Sequence, residues 1–207
     1  MDNETKNRLA LDLLKIGAIK FGNFRLKLHD TNPEAPLSPI YIDLRLLRSF
    51  PDVIDLSVLL YKDLSKNFTY ELYADVPTAA TPIAAILSHV TRTPMISPRK
   101  GEKKHGIESS IDGAFCAGQK VLLIDDLITK ATSKLESISV LTEHGLEVSG
   151  VVVLVDREQG GREELTSNGY VCQAGFKLSE LLERYLRSGL ITDADYVRTA
   201  EYLQLQR

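Results

Sequence analysis

The 207-residue chain predicts an α/β domain: a central, mostly parallel sheet flanked by helices. Three observations predict it. From residue 70 onward, short apolar runs alternate with helical patterns, the rhythm of βαβ units. Two of the runs, 121–124 and 148–155, are almost wholly apolar, as strands covered on both faces are. The length suits one domain, 1–207, with a full core, and no repeat or low-complexity linker divides it.

The elements follow in order. Residues 5–18 read as an amphipathic helix with Leu9, Leu13 or Leu14, and Ile16 on one face. Residues 19–28 alternate toward strand character through Phe21, Phe24 and Leu26. His29 and Asp30 open a Pro-containing loop up to Ser38, and 40–44 form a second strand. Ser49 is placed to cap a helix, with Pro51 in its first turn and Asp52 near its positive end, running to about residue 66. A strand at 70–76, a helix at 82–90 and a short strand at 94–98 come next. The strands 121–125 and 148–155 have a helix between them. A short helix at 161–168 and an outer strand at 170–176 follow. Two helices close the chain, one from Ser179 to near Gly189, the other from Thr192. Thr192 and Asp195 have the spacing of a capping box, with Asp in place of Glu.

Composition excludes several function classes. A net charge of -3 and a pI of about 5.8 give no global basic field for nucleic acid. No apolar run approaches the ~18 residues of a membrane span, and the polar N-terminus has no signal core. Cys116 and Cys172 form no CxxC pair, and both read as reduced, buried or half-buried cysteines of a cytoplasmic chain.

The chemistry concentrates in two places. Asp125 and Asp126 end the buried 121–124 run, and Thr129, Thr132 and Ser133 precede a helical pattern starting at Lys134. N–H groups at a helix start attract phosphate. Neighbouring carboxylates suit ribose hydroxyls or a hydrated Mg²⁺. Taken alone, such a pair is as often a solvated turn. The second place is the polar, cationic stretch 99–106, which with 107–118 makes a connection of roughly 20 residues between core strands. Arg99, Lys100, Lys103, Lys104 and His105 against the single acid Glu102 repel one another unless an anion sits among them. Together the two places call for a highly anionic, Mg-bound sugar phosphate. No GxxxxGK[ST], HExxH, GxSxG or strand-linked GxGxxG competes with that reading.

These residues resemble a known family. The stretch 121–133 resembles the phosphoribosyl-pyrophosphate (PRPP) motif of type I phosphoribosyltransferases. Four further stretches resemble the orotate branch: Phe-Gly-Asn-Phe-Arg-Leu-Lys at 21–27, Ser-Pro-Ile-Tyr-Ile-Asp at 38–43, Pro-Arg-Lys-Gly-Glu-Lys-Lys-His-Gly at 98–106, and Asp-Arg-Glu-Gln-Gly-Gly at 156–161. The resemblance implies the type I fold, with a small hood from the N-terminal region and part of the C-terminal region, and a flexible lid at about 99–118. It implies transfer of phosphoribose from PRPP to orotate with Mg²⁺, giving orotidine 5′-monophosphate and pyrophosphate in pyrimidine biosynthesis. It implies a cytoplasmic homodimer whose lid reaches the neighbour's site.

The roles carry over by position. Asp125 and Asp126 match the acidic pair at the ribose hydroxyls, with Mg²⁺ held mainly by PRPP nearby. Thr129, Lys130, Ala131, Thr132 and Ser133 match the 5′-phosphate loop, and Thr129 also lies near orotate. Lys27 matches a lysine near pyrophosphate and orotate. Arg99, Lys100, Lys103 and His105 match the lid; Lys103, with Asp125 and Asp126, matches the residues tied to catalysis. Arg157 matches the arginine that pairs with the orotate carboxylate, its plain alternative being a structural partner of Asp156 or Glu158.

The chain also departs from the pattern. Ala131 stands where the family has glycine, and a Cβ there restricts positive φ. Asp75 replaces a common glycine in the turn that receives pyrophosphate, adding an acid. Gly101 and Lys104 stand where acids are common. Two alternatives follow: a catalytically weakened PRPP- or nucleotide-binding regulator, and a transferase for another base.

Overall fold

A computed structural model describes residues 1–25, 28–99 and 110–205, so Leu26, Lys27 and residues 100–109 lie outside the described residues. Helix α1 (Asn3–Lys15) begins ahead of its apolar pattern. Asp2 is the reason: its carboxylate accepts the Thr5 N–H at 2.8 Å and caps the first turn. Gly17, at φ 76°, ends it short of residue 18. Leu9 and Leu13 are buried as the periodicity requires.

Strands β1 (Ile19–Phe24) and β2 (Ser38–Ile42) form an antiparallel hairpin with Ile19 opposite Ile42. The expected loop between them contains a short helix, α2 (Leu28–Thr31). A 3₁₀ turn at Leu44–Ser49 stands where the sequence showed no element. Its cause is the burial of Leu44 and Leu47, spaced three apart, with Asp43 accepting the Arg45 N–H at 3.3 Å. Helix α3 (Pro51–Ser65) has Pro51 at its start, but Ser49 does not cap it. Ser49 is used up as the end of the 3₁₀ turn, and Phe50 takes the cap position without a side-chain hydrogen bond.

The remaining elements alternate as expected, except that a short strand at Ile111–Asp112 falls within the connection expected to be a loop, where it pairs with the strand Met95–Pro98. They are β3 (Leu72–Asp75), α4 (Thr81–Thr91), β4 (Met95–Pro98), β5 (Ile111–Asp112), β6 (Lys120–Ile128), α5 (Thr132–Glu143), β7 (Glu147–Asp156), α6 (Gly161–Ser167), β8 (Cys172–Lys177), α7 (Leu178–Arg187) and α8 (Asp193–Leu205). The six-stranded sheet runs β5-β4-β3-β6-β7-β8 and is parallel except for β5, which returns antiparallel on β4. Thr192 and Asp195 cap α8 reciprocally: Asp195 N–H donates to Thr192 Oγ1 at 3.1 Å, and Thr192 N–H to Asp195 Oδ2 at 3.3 Å.

Both faces of the sheet are covered. Along β6, Leu122 and Ile124 pack into a core with α1, α3, α4 and α7. Val121 and Leu123 pack on the opposite side with Ile138 and Leu141 of α5 and Leu165 of α6. This two-sided burial explains the continuous apolar runs. The hairpin stands apart from the sheet, and α8 packs against β2. Cys172 is buried, but Cys116 is exposed, because it lies in a turn whose N–H donates to Gln119 Oε1 at 2.8 Å. Among the described residues, no helix is long and apolar enough to cross a membrane.

Strand order reverses between β3 and β6, since β4 lies on one side of β3 and β6 on the other. The carboxyl ends of strands at such a reversal open a crevice for ligands. Asp75 ends β3, and Asp125 and Asp126 lie in the last turns of β6.

Candidate functional site

The carboxylates sit differently from the sequence expectation. Strand β6 does not stop at residue 125 but continues to Ile128, because its last residues still pair with β7: Leu127 with Val155, and Ile128 with Asp156. Asp125 and Asp126 are therefore strand residues, with Cβ atoms directed to opposite faces. Asp125 is buried, at 4% exposure. Its Oδ2 lies 2.5 Å from Lys134 Nζ, and its Oδ1 accepts the Asp126 N–H at 2.9 Å. Its backbone carbonyl accepts the Tyr61 hydroxyl at 2.6 Å. Asp126 is half-buried. Burial, and then the neighbouring Asp125 charge, push its carboxyl up to about 7.

The segment expected to hold phosphate follows directly. Thr129 and Lys130 leave the strand, and Thr132 and Ser133 open α5. The N-cap Ala131 offers no side-chain bond to α5, and while Lys134 N–H reaches the Ala131 carbonyl at 2.9 Å, the Thr132 and Ser133 N–H groups have no intrahelical acceptor. Ala131 takes φ -83° and ψ -5° at the N-cap. The expected restriction from its Cβ does not arise, since any residue adopts that conformation. Its own N–H donates to Glu164 Oε2 of α6 at 2.8 Å.

The Asp-Arg-Glu-Gln-Gly-Gly segment lies against this loop. Arg157 N–H donates to the Ile128 carbonyl at 2.9 Å, extending the β6–β7 pairing by one bond. Asp156 Oδ1 accepts the Glu158 N–H at 2.8 Å, and Glu158 Oε2 accepts the Ser179 N–H of α7 at 2.8 Å. Those two bonds hold Glu158 at φ 57°, a left-handed conformation uncommon for a non-glycine residue. Gly160 turns at φ 88°. Gly161 is needed for close approach: a Cβ there would sit 2.7 Å from both Ile128 Cγ1 and the Thr129 oxygen.

This frame leaves Arg157 8% exposed. Its Nε and Nη2 have no hydrogen-bond partner among the described residues. Asp156 instead faces Arg162, 3.7 Å away. Burial holds the Arg157 guanidinium below the usual arginine range. At the third strand end, Asp75 is fully buried and accepts the Thr81 hydroxyl at the start of α4. The extra acid is thus buried, bonded through one oxygen to Thr81 at the end of that turn, while its Oδ1 has no hydrogen-bond partner among the described residues.

Of the lid residues, Arg99 is described. Its Nε donates to Asp112 at 2.9 Å and its N–H to the Ser110 carbonyl at 2.8 Å, closing the base of the connection. Lys27, Lys100, Gly101, Lys103, Lys104 and His105 lie outside the described residues. Two residues the sequence reading passed over belong to the site, Lys134 and Glu164. Lys134 had a signal: it shares the buried stripe of α5 with Ile138 and Leu141, where a lysine is out of place. Glu164 had none, since it is one of two adjacent glutamates on a short helix.

No family model matches the chain. The bifunctional enzyme PyrF/PyrE of Nostoc sp. is 35% identical over 194 residues, covering 93% of this chain and 39% of that protein. The orotate phosphoribosyltransferase of Pyrococcus abyssi is 34% identical over 180 residues, covering 86% of this chain and 96% of that protein. The chain belongs to the orotate phosphoribosyltransferase family. A solved structure of Leishmania donovani UMP synthase matches 97% of the chain with a TM-score of 0.85 and 34% identity, using 42% of its own length. The chain therefore spans about two fifths of the bifunctional relatives and nearly all of the archaeal orotate phosphoribosyltransferase.

Two outcomes follow from the geometry. Gly161→Ala forces α6 off the phosphate loop and costs about 1–3 kcal/mol, read as a lower denaturation midpoint; an unchanged midpoint would remove the close-approach argument. Asp126 has a raised pKa, so between about pH 4 and 7 the folded protein holds a proton that the unfolded chain has released, and stability falls as pH rises through that window. Asp126→Asn relieves this at about pH 8, raising Tm by roughly 2–4 °C per kcal/mol relieved. The gain disappears near pH 4, and a variant less stable than the parent at the higher pH would contradict the assignment.

Proposed function

We propose that the chain transfers the 5-phosphoribosyl group of PRPP to orotate, releasing pyrophosphate and forming orotidine 5′-monophosphate. The buried guanidinium of Arg157 carries this reading. Buried Nε and Nη2 protons without a hydrogen-bond partner among the described residues are costly, and a planar carboxylate is the ligand that a guanidinium fork holds with two parallel hydrogen bonds. Orotate has such a carboxylate; uracil, hypoxanthine and adenine do not. The relatives named orotate phosphoribosyltransferase support the same substrate.

The residues divide the work by charge. The free N–H groups at the start of α5, with Thr129, Thr132, Ser133 and Lys130, receive the 5′-phosphate. The turn between Asp75 and Thr81, at the start of α4, receives the pyrophosphate. Asp126 accepts hydrogen bonds from the ribose hydroxyls. Among the described residues, no three His, Cys, Asp or Glu side chains converge as a metal site. Asp126 is one hard oxygen donor, which fits a Mg²⁺ whose other ligands come from the substrate. When bound, that ion neutralises charge on the departing pyrophosphate.

The transition state places positive charge on the ribose carbon and negative charge on the leaving group. The protein's part is to align the base nitrogen, stabilise those charges and exclude water. Lys27, Lys100, Lys103 and His105 supply the cations for the leaving group. The lid that carries the last three is anchored at Arg99 and reaches the neighbouring subunit of a homodimer. The hairpin β1–β2 with α8 forms the hood over the base, and the protein is cytoplasmic. A non-catalytic regulator loses its motive, because Ala131 has negative φ and Asp75 is buried against Thr81.

Incubating purified protein with orotate, PRPP and Mg²⁺ should consume orotate; intact PRPP binding without orotate loss would sink the proposal. Arg157→Met should lower kcat/KM for orotate by about 10²-fold or more while PRPP affinity measured by calorimetry stays near the parent's. Equal loss for both substrates would reassign the residue. Mixing Lys103→Ala with Asp126→Asn subunits should restore part of the activity lost in each; no recovery would place lid and acid in one subunit.

A further inference from the structure

We propose that the acidic pair is divided in its work: Asp125 is a positioning residue clamped from inside the protein by Lys134, and Asp126 alone offers a carboxylate to the sugar. The inference rests on the PRPP reading and narrows it, since resemblance alone gives both acids the same task.

The clamp engages both partners. Lys134 is 4% exposed. An ammonium has three protons to donate, and three acceptors surround it: Asp125 Oδ2, the Leu127 carbonyl, and Ser133 Oγ at 3.5 Å. Asp125 is equally committed. One carboxylate oxygen takes Lys134, the other takes the Asp126 N–H, and the backbone carbonyl takes Tyr61. A buried ion pair of this kind is costly to break, because whichever partner turns away leaves an uncompensated charge behind. Swinging Asp125 toward a sugar would strand the Lys134 ammonium under the loop. Lys134 also sits in the first turn of α5, where the helix dipole disfavours a cation. Only the acid beneath it makes that position tolerable.

The position of the clamp gives it a purpose. Leu127 ends one side of the phosphate loop and Ser133 begins the other. Lys134 bonds to both and to Asp125, so one ammonium fixes the span across which Thr129 to Thr132 must arch. Asp126, by contrast, is half-buried and has no ion-pair partner among the described residues. Its carboxyl borders Asp125 and the Leu127 backbone but is tied to no cation there.

The test uses the full chain and four variants: Asp125→Asn, Lys134→Met, the double variant Asp125→Asn/Lys134→Met, and Asp126→Asn. Melting temperature, the KM values for PRPP and orotate, and kcat are measured for each. Either single change at the clamp is expected to lower the melting temperature and to raise KM for PRPP by about tenfold, with KM for orotate held within about threefold. The double variant, which removes both charges, is expected to regain melting temperature and at least half of the lost PRPP affinity on a logarithmic scale. Asp126→Asn is expected to keep its fold and to lose about 10²-fold or more in kcat/KM. The proposal is overturned if the double variant recovers its melting temperature while its KM for PRPP stays as high as that of Asp125→Asn, because Asp125 then touches the sugar itself. If Lys134→Met does not fold, the comparison of the double variant with Asp125→Asn decides alone. A parent protein that neither binds PRPP nor consumes orotate overturns the parent reading and this one together. A competent parent with no rescue overturns only the division.

Discussion

The ion pair between Lys134 and Asp125 is the contact on which the rest of the site depends. It joins the last turns of a central strand to the first turn of the following helix, and it does so from inside the protein. Parallel sheets put their functional loops at the carboxyl ends of strands. Those ends are also where backbone pairing gives out and a loop is least determined. Here β6 keeps its partners to Ile128, and the ammonium then carries the geometry on to Ser133. The loop between has its two ends fixed by bonds of different kinds, one set from the ladder and one from a buried charge.

The segment at 156–161 supplies the second wall in the same manner. Asp156 and Glu158 are spent on backbone N–H groups, and Gly161 lets α6 lie directly on Thr129. Within the segment, the fully buried side-chain atoms without a hydrogen-bond partner among the described residues are Nε and Nη2 of the guanidinium. A frame this well bonded can hold one costly group in place. The bond from Ala131 N–H to Glu164 ties the two walls together, so the 129–133 loop and the 156–161 segment are not independent bodies.

Much of this was legible in the sequence, for identifiable reasons. The alternation of apolar runs and helical patterns gave every strand of the parallel sheet, since burial on both faces leaves no doubt about what the runs do. Thr192 and Asp195 were readable as a cap because capping is local. The 3₁₀ turn at Leu44–Ser49 was not, because its cause is the burial of two leucines against distant helices. The reach of β6 was hidden by its acids, which look like the end of a strand until the pairing with β7 is known. Arg157 stood out by motif, but its lack of a partner is a fact of three-dimensional placement. Lys134 was legible in principle, as a lysine on an apolar stripe. What it faces was not, because that requires knowing on which side of the sheet α5 lies.

Ala131 has a consequence for how this kind of loop is recognised. Its backbone is ordinary, in the same region as a helix residue, and its amide is already engaged by a neighbouring helix. The shape the loop takes in this chain therefore does not require glycine at 131. A signature written with an obligatory glycine asks about an amino acid where the protein only specifies a pair of dihedral angles. This chain satisfies the angles with a methyl group, and such a signature would pass over it.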